Sequence, residues 1–357
     1  MKFGVFLPTA SNGFLMSRNA PQYDPSYSNI LEISREAERI GMDFVLALTK
    51  YRGFGGATDY WKACLESLTL MSAIGASTSR IEIFPTTSII SIHPAIMARM
   101  VATIDQVTGG RCGLNIVSGW NQPEFAQMGM WPGDDHFQDR YAFAAEYTEV
   151  MQRLWEQGRA SYEGKYFQLD DCTAYPRPSR KIPLVCAGSS PKGLEFTARY
   201  GDYSFVNGSD PAKIAALVRK IRGMGEELGR KVGCYAGFGL IVADTDEEAQ
   251  AIYDDIETGL DLEAIANMVG NASKDTNAGG SSQELSAAGQ AMITKGQLSA
   301  MSPMIVGSPR TVAERIDELV DATGIDGMLL SWPDFMVGLK YFGEEIMPRL
   351  RCKAAVA

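Results

Sequence analysis

Residues 103–124 read TIDQVTGGRCGLNIVSGWNQPE, which spells a helix end, a stop, a short strand and a loop, in that order. Gly109-Gly110 ends the helix because glycine tolerates the left-handed backbone of a C-cap. The following CGLNIV is short, apolar and strand-like. Asn115 breaks that pattern. A polar amide in an apolar strand must find hydrogen-bond partners or cost stability, so it is either locked in a core network or turned to a ligand. Ser118-Gly119-Trp120 and Asn121-Gln122-Pro123-Glu124 then set a small-residue turn, an indole, two amides and a carboxylate beyond the strand's carboxyl end. In parallel α/β sheets and barrels, sites are built there.

The same cadence extends on both sides. The pattern predicts strands over Lys2–Leu7, Asp43–Leu48, Ile81–Phe84, Pro183–Ala187, Tyr203–Val206, Tyr235–Ala243 and Gly327–Ser331, with helices between most of them. Helices are expected near Tyr27–Ile40 and Tyr60–Ala76, and from His93-Pro94 with Ile96, Met100 and Ile104 on one face. With the stretch around Asn115 this makes eight strands, hence a (β/α)8 TIM barrel with insertions at its carboxyl-end loops. The chain of 357 residues is ordinary for one such domain, so a single domain over 1–357 is expected. Polar, small residues near 259–302 read as an insertion between the seventh and eighth strands.

Composition narrows the partners. A formal net charge of -10 and the absence of a basic run argue against nucleic acid and anionic membranes, leaving a small molecule as the expected ligand. The apolar run near the N-terminus is too short for a signal-peptide core, and no stretch approaches a membrane span, so a cytoplasmic protein is expected. Six scattered cysteines fit reduced structural thiols, and only two histidines, His93 and His136, are present. That scarcity weighs against a Ser-His-Asp triad and against a metal site.

Several strand ends carry chemistry. Thr49-Lys50-Tyr51-Arg52-Gly53-Phe54-Gly55-Gly56 is basic, aromatic and glycine-rich but lacks the spacing of a dinucleotide fingerprint. Alone it reads as a flexible loop; its position keeps it as a candidate. Thr86-Thr87-Ser88 reads as a strand-end cap. Asp134-Asp135-His136 reads as helix capping, and His93 as a cap or core edge. Arg140-Tyr141 is either a solvated helix face or an anion clamp. Gly188-Ser189-Ser190-Pro191 opens a helix whose free N–H groups suit a phosphate, although capping alone explains it as well.

The segments MKFGVFLP, LTKYRGFGG, RMVATIDQVTGGR, NIVSGWNQPE, MGMWPGDD, VCAGSS, SKDT and FGEEI, taken in order, resemble the bacterial-luciferase-like flavin monooxygenases, and within them the members that open pyrimidine rings. The resemblance implies FMN contacts at Thr49, Lys50, Asn115, Glu124, Arg140, Tyr141 and Ser190, the last three near the phosphate. It implies an oxygen pocket of Leu46, Thr86, Asn115 and Trp120, where Thr86 and Asn115 donate hydrogen bonds and Leu46 and Trp120 exclude water. Oxygen is then expected on flavin N5, as a peroxide, rather than on C4a.

It further implies FMN reduced by a separate NADH-dependent flavin reductase, O2 as co-substrate, attack at the C4 carbonyl of uracil or thymine, and a homo-oligomer. At this point other readings stay open. They are the same chemistry on a sulfone, another nitrogen heterocycle or a haloaromatic; a deazaflavin reductase; and a flavin-binding barrel without catalysis.

Overall fold

The structure is a computed structural model and describes residues 1–206, 208, 210–276, 281–295 and 303–354. In chain order its first half comprises β1 (Lys2–Leu7), α1 (Tyr27–Arg39), β2 (Phe44–Ala47), α2 (Ser67–Ala76), β3 (Glu82–Phe84), β4 (Thr86–Ser88), α3 (Pro94–Thr108), β5 (Leu114–Val117), α4 (Gln122–Ala126) and α5 (His136–Gln157). A hairpin, β6 (Arg159–Glu163) and β7 (Gln168–Thr173), precedes β8 (Leu184–Ala187), α6 (Pro191–Tyr200), β9 (Tyr203–Val206), α7 (Pro211–Glu227) and β10 (Gly233–Val242). The remainder is α8 (Asp246–Thr258), α9 (Leu262–Ala272), α10 (Ser281–Lys295), β11 (Met304–Gly307), α11 (Pro309–Thr323), β12 (Gly327–Ser331) and α12 (Phe335–Tyr341).

The main sheet runs β3-β2-β1-β12-β10-β9-β8-β5-β4, all parallel, with β11 beside the outer half of β10. β3 and β4 are one stave interrupted by Pro85, whose missing N–H cannot serve the ladder. The inner part of that stave pairs with β2 and its outer part with β5, so the sheet closes into the expected eight-stave barrel. Thr86–Ser88 is therefore strand, not a strand-end cap.

The barrel interior is filled by large rings. Phe44 stacks on Tyr235 with centroids 5.2 Å apart, and Tyr203 on Tyr235 at 4.6 Å. Rings fit there because the facing strand positions are glycine: a Cβ on Gly4 would run into the Phe44 ring, and one on Gly113 into Phe84. Outside, a second layer of Val, Ile, Leu and Met packs strands against helices. Helix ends follow local chemistry. Gly109 ends α3 with φ 63°, Thr245 and Glu248 form a capping box on α8, and Ser190 caps α6 by accepting from the Gly193 N–H.

Two sequence expectations need correction. The helix expected from Tyr60 begins at Ser67, where Glu66 accepts from the Leu68 and Thr69 N–H groups. Asp59 and Trp61 hold left-handed backbones (φ 47° and 59°), which cannot enter a helix. On α3 the inward residues include Met97, Ala98, Val101, Ala102, Ile104 and Asp105, so of the three residues expected on one face Ile104 is buried while Ile96 is 57% exposed. The polar region near 259–302 forms α9 and α10, which pack together around Ile265, Met268 and Met292; its residues 277–280 and 296–302 lie outside the described residues.

Candidate active site

The carboxyl ends of the staves surround a cavity of about 350 Å³ to which every stave contributes, from Phe6 on β1 to Leu329 on β12. Its floor is the ring-filled interior, and Met268 of α9 and Leu285 of α10 belong to its wall. Seven of the expected residues line it: Leu46, Thr49, Lys50, Thr86, Asn115, Trp120 and Glu124. Strand register accounts for the deepest of them. Thr86 and Asn115 are direct partners across β4 and β5, so their side chains meet, and the Asn115 Nδ2 donates to Thr86 Oγ1 at 3.0 Å.

A directed chain of hydrogen bonds fixes these two side chains. Thr86 Oγ1 gives its proton to the Ala47 carbonyl, an atom that can only accept. Thr86 can then only accept from Asn115, which fixes the amide with Oδ1 turned away from Thr86. That buried oxygen has no hydrogen-bond partner among the described residues. The expectation that Thr86 donates to an oxygen species is corrected accordingly: its proton is engaged by Ala47, and what the pair leaves unspent is an Asn115 acceptor and one Nδ2 proton.

Lys50 and Glu124 form the charged part of the cavity. Their Nζ and Oε2 are 2.9 Å apart, with side chains 5% and 7% exposed. Glu124 also accepts from the Tyr51 N–H at 2.6 Å and from Asn121 Nδ2 at 3.2 Å, so three donors hold it. The ammonium lies 4.5 Å from the Phe54 ring centroid, 5.7 Å from Trp120 and 5.9 Å from Trp61. Burial pushes the Lys50 pKa down, and the Glu124 carboxylate opposes that shift.

The loop that carries Lys50 is pinned. The Thr58 N–H and hydroxyl both donate to Asp261, the N-cap of α9, and Asn267 Nδ2 donates to the Phe54 carbonyl. Tyr60 and Trp61 in turn donate to the Gly13 carbonyl, tying in the long aromatic loop after β1.

Arg140, Tyr141 and Ser190 do not line the cavity. They gather at the start of α6, just beyond Ala187, which does line it. Tyr141 Oη lies where a Cβ on Gly188 or Gly193 would stand, 2.6 and 2.7 Å away, so these glycines keep the backbone open beside the phenol. Arg140 is buried, 5.3 Å from the Tyr141 ring, and its Nη1 donates to Asp275 at 2.7 Å. Its Nε has no hydrogen-bond partner among the described residues. An unspent guanidinium donor, a phenol and a glycine-flanked helix start suit a phosphate monoester.

Sequence reading missed several contributors. Asn121, Phe54, Trp61 and Met268 line the cavity. His136, read as part of a cap, instead reaches the Ser118 and Gly119 carbonyls at 3.0 and 3.1 Å and braces the turn before Trp120. Asp135, at the N-cap of α5, makes no side-chain capping bond. The reach of His136 and the Asp275 partner of Arg140 leave no local sequence signal. Asn121 did leave one, as an amide beside Trp120.

Comparison with known proteins adds five likenesses. The profile of the family described as luciferase-like monooxygenase matches residues 1–327. The chain is 41% identical over 359 residues to the pyrimidine monooxygenase RutA of Serratia proteamaculans, covering 100% of this chain and 97% of that protein. Its likeness to the protein of the same name from Rhizobium rhizogenes is 42% over 359 residues, covering 99% and 97%. Among solved structures, riboflavin lyase RcaE with modified FMN and substrate riboflavin matches with a TM-score of 0.86 at 23% identity, covering 100% of this chain and 92% of that one. EDTA monooxygenase EmoA from Chelativorans sp. BNC1 matches at 0.82 and 19%, covering 100% and 94%. At such identities the two structures speak for the fold.

Proposed function

The chain belongs to the luciferase-like monooxygenase family, and on that premise we propose that it is an FMN-dependent monooxygenase that opens a pyrimidine ring, uracil or thymine, at its C4 carbonyl. The observation that carries the reading is the likeness to the pyrimidine monooxygenases, which runs at 41% identity through the whole chain and so includes the cavity.

Reduced FMN, when bound, supplies the electrons that activate O2. The chain's own residues do the rest. Arg140 Nε, Tyr141 and the backbone around Ser190 would hold the phosphate, with Thr49 and Lys50 along the flavin's length. Asn115, fixed by Thr86 and Ala47, sets a rigid amide where oxygen and the substrate carbonyl meet, at no reorganisation cost during reaction. Leu46 and Trp120 keep water from that point. Lys50 holds a proton beside Glu124, and the pair offers charge to a polar ring in an otherwise apolar cavity. One oxygen atom of O2 joins C4, the C4–N3 bond breaks, and N3 takes a proton as the end of a urea group, giving a ureidoacrylate-type product; the second oxygen atom leaves as water, and of the four electrons this requires two come from reduced FMN and two from NADH.

The same reading includes a separate NADH-dependent reductase as the source of reduced FMN, a homo-oligomer in the cytoplasm, and one barrel domain with α9 and α10 as its insertion. Aerobic incubation with uracil, FMN, NADH and a flavin reductase tests it, with products followed by mass spectrometry. A ring-opened product that requires both reduced flavin and O2 is expected. Uracil returned unchanged while NADH and O2 are consumed would contradict the pyrimidine assignment.

A further inference from the structure

We infer that Asn121 is a specificity-determining residue whose side-chain carbonyl accepts a hydrogen bond from a ring N–H of the substrate. It thereby selects imide- and lactam-like rings that carry that proton. The inference rests on the pyrimidine reading above and assigns a task to a residue outside the expected cofactor and oxygen contacts.

Asn121 lines the cavity and is 2% exposed. Its Nδ2 donates to Glu124 Oε2 at 3.2 Å, the same oxygen that Lys50 Nζ reaches at 2.9 Å. That oxygen is held by an ammonium and acts as an acceptor, so the amide cannot be turned round without setting oxygen against oxygen. Oδ1 is thereby fixed, and it is buried without a hydrogen-bond partner among the described residues. The position makes this more pointed. Asn121 stands at the N-cap of α4, where an asparagine normally spends its oxygen on the helix N–H groups, yet its side chain makes no capping bond. An acceptor withheld from its usual local partner, in a cavity lined also by Val117, Trp120, Phe125 and the Lys50–Glu124 pair, is matched by a ligand that brings an N–H.

A pyrimidine-2,4-dione offers two such groups, N1–H and N3–H. A methyl on the matching nitrogen removes the donor and leaves the oxygen buried and unpaired. Sites that hydrogen-bond a substrate N–H reject analogues lacking it more strongly than apolar pockets reject an extra methyl.

The test compares kcat/KM for uracil, 1-methyluracil and 3-methyluracil, with FMN, NADH and reductase, in the wild type and in Asn121→Leu, a near-isosteric change that removes the acceptor together with the Nδ2 donor to Glu124. Asn121→Ala, which removes the same oxygen without branching, is run beside it. The wild type is expected to prefer uracil over one methylated ring by at least about tenfold. Both variants are expected to cut that preference to about threefold or less, mainly through KM for uracil. Equal turnover of all three rings by the wild type would overturn the inference whatever the variants do. So would variants that lose activity on all three rings in proportion, which is what a merely structural role gives. No uracil turnover by the wild type would overturn the pyrimidine reading itself, and the inference with it.

Discussion

Arg140 Nη1 donates to Asp275 Oδ2 at 2.7 Å, with the two side chains 3% and 0% exposed, and this sealed ion pair joins α5 to the segment after α9, 135 residues away. Gln138, on the same helix, adds bonds to the Thr276 carbonyl and hydroxyl at 3.2 and 3.0 Å. The start of α5, which bears Arg140 and Tyr141, is thus held by the segment after α9, the helix whose Met268 lines the cavity. Removing one member of such a pair strands the other charge out of water, so Asp275→Ala is expected to cost about 3 kcal/mol of stability. The double variant Arg140→Met with Asp275→Leu is expected to recover most of that loss. Urea unfolding measures both; an Asp275→Ala midpoint equal to that of the wild type would show that the pair contributes nothing.

Thr86 links Ala47 to Asn115 through one hydroxyl. Thr86→Val keeps the shape but leaves a buried carbonyl and an amide N–H short of partners, at about 1–3 kcal/mol for each unsatisfied group. It also frees Asn115 to rotate. Product formed per NADH consumed is expected to fall by about tenfold or more, since small misplacements near reacting atoms are costly. Thr86→Ser, which restores the hydroxyl, is expected to regain most of the yield. A valine variant with wild-type coupling of NADH to product would dissociate the hydroxyl from the chemistry.

His136 supplies a pH dependence with a definite sign. The Ser118 and Gly119 carbonyls only accept, so its Nε2 carries the proton. Burial, the largest influence, pulls its pKa below 6.5, and the two backbone bonds oppose that shift. As pH falls through about 6.5 towards the folded value, the unfolded chain binds a proton that the folded chain refuses. Stability present above that pH is therefore lost on acidification. His136→Gln, which keeps an N–H donor but does not titrate, is expected to lose less stability over the same range. Parallel pH profiles for the two proteins would mean that the imidazole does not couple to folding.

What the sequence disclosed depended on how local the cause was. The glycine stop at Gly109, the strand through Asn115 and the proline-led helix at Ser190 are short-range signals, and they stand where expected. The broken stave was harder to see. Pro85 divides it, and three hydroxyl residues form its outer part because they pair with β5. The false helix start at Tyr60 has a similar origin. Left-handed Asp59 and Trp61 are imposed by a loop whose Tyr60 and Trp61 side chains bind the Gly13 carbonyl, a partner nearly fifty residues earlier.

The inward turn of α3 was misread because Ala98 and Ala102 are small, while Ile96, the more hydrophobic residue, faces out. At the site, residue types were legible and directions were not. That Thr86 spends its proton on Ala47, or that Arg140 spends one edge on Asp275, follows only from positions brought together by the closed barrel.

The cavity is proposed to transfer oxygen from O2 to the carbonyl carbon of a pyrimidine. The measurement that tests it most directly is ring opening of uracil by the protein and reduced FMN under isotopically heavy O2 in ordinary water, with the product's mass followed by fragmentation. One heavy oxygen in the newly formed carboxyl-type group, absent when the label is in the water instead, is the expected result. A ring-opened product whose new oxygen comes from water would make the reaction a hydrolysis and contradict the account.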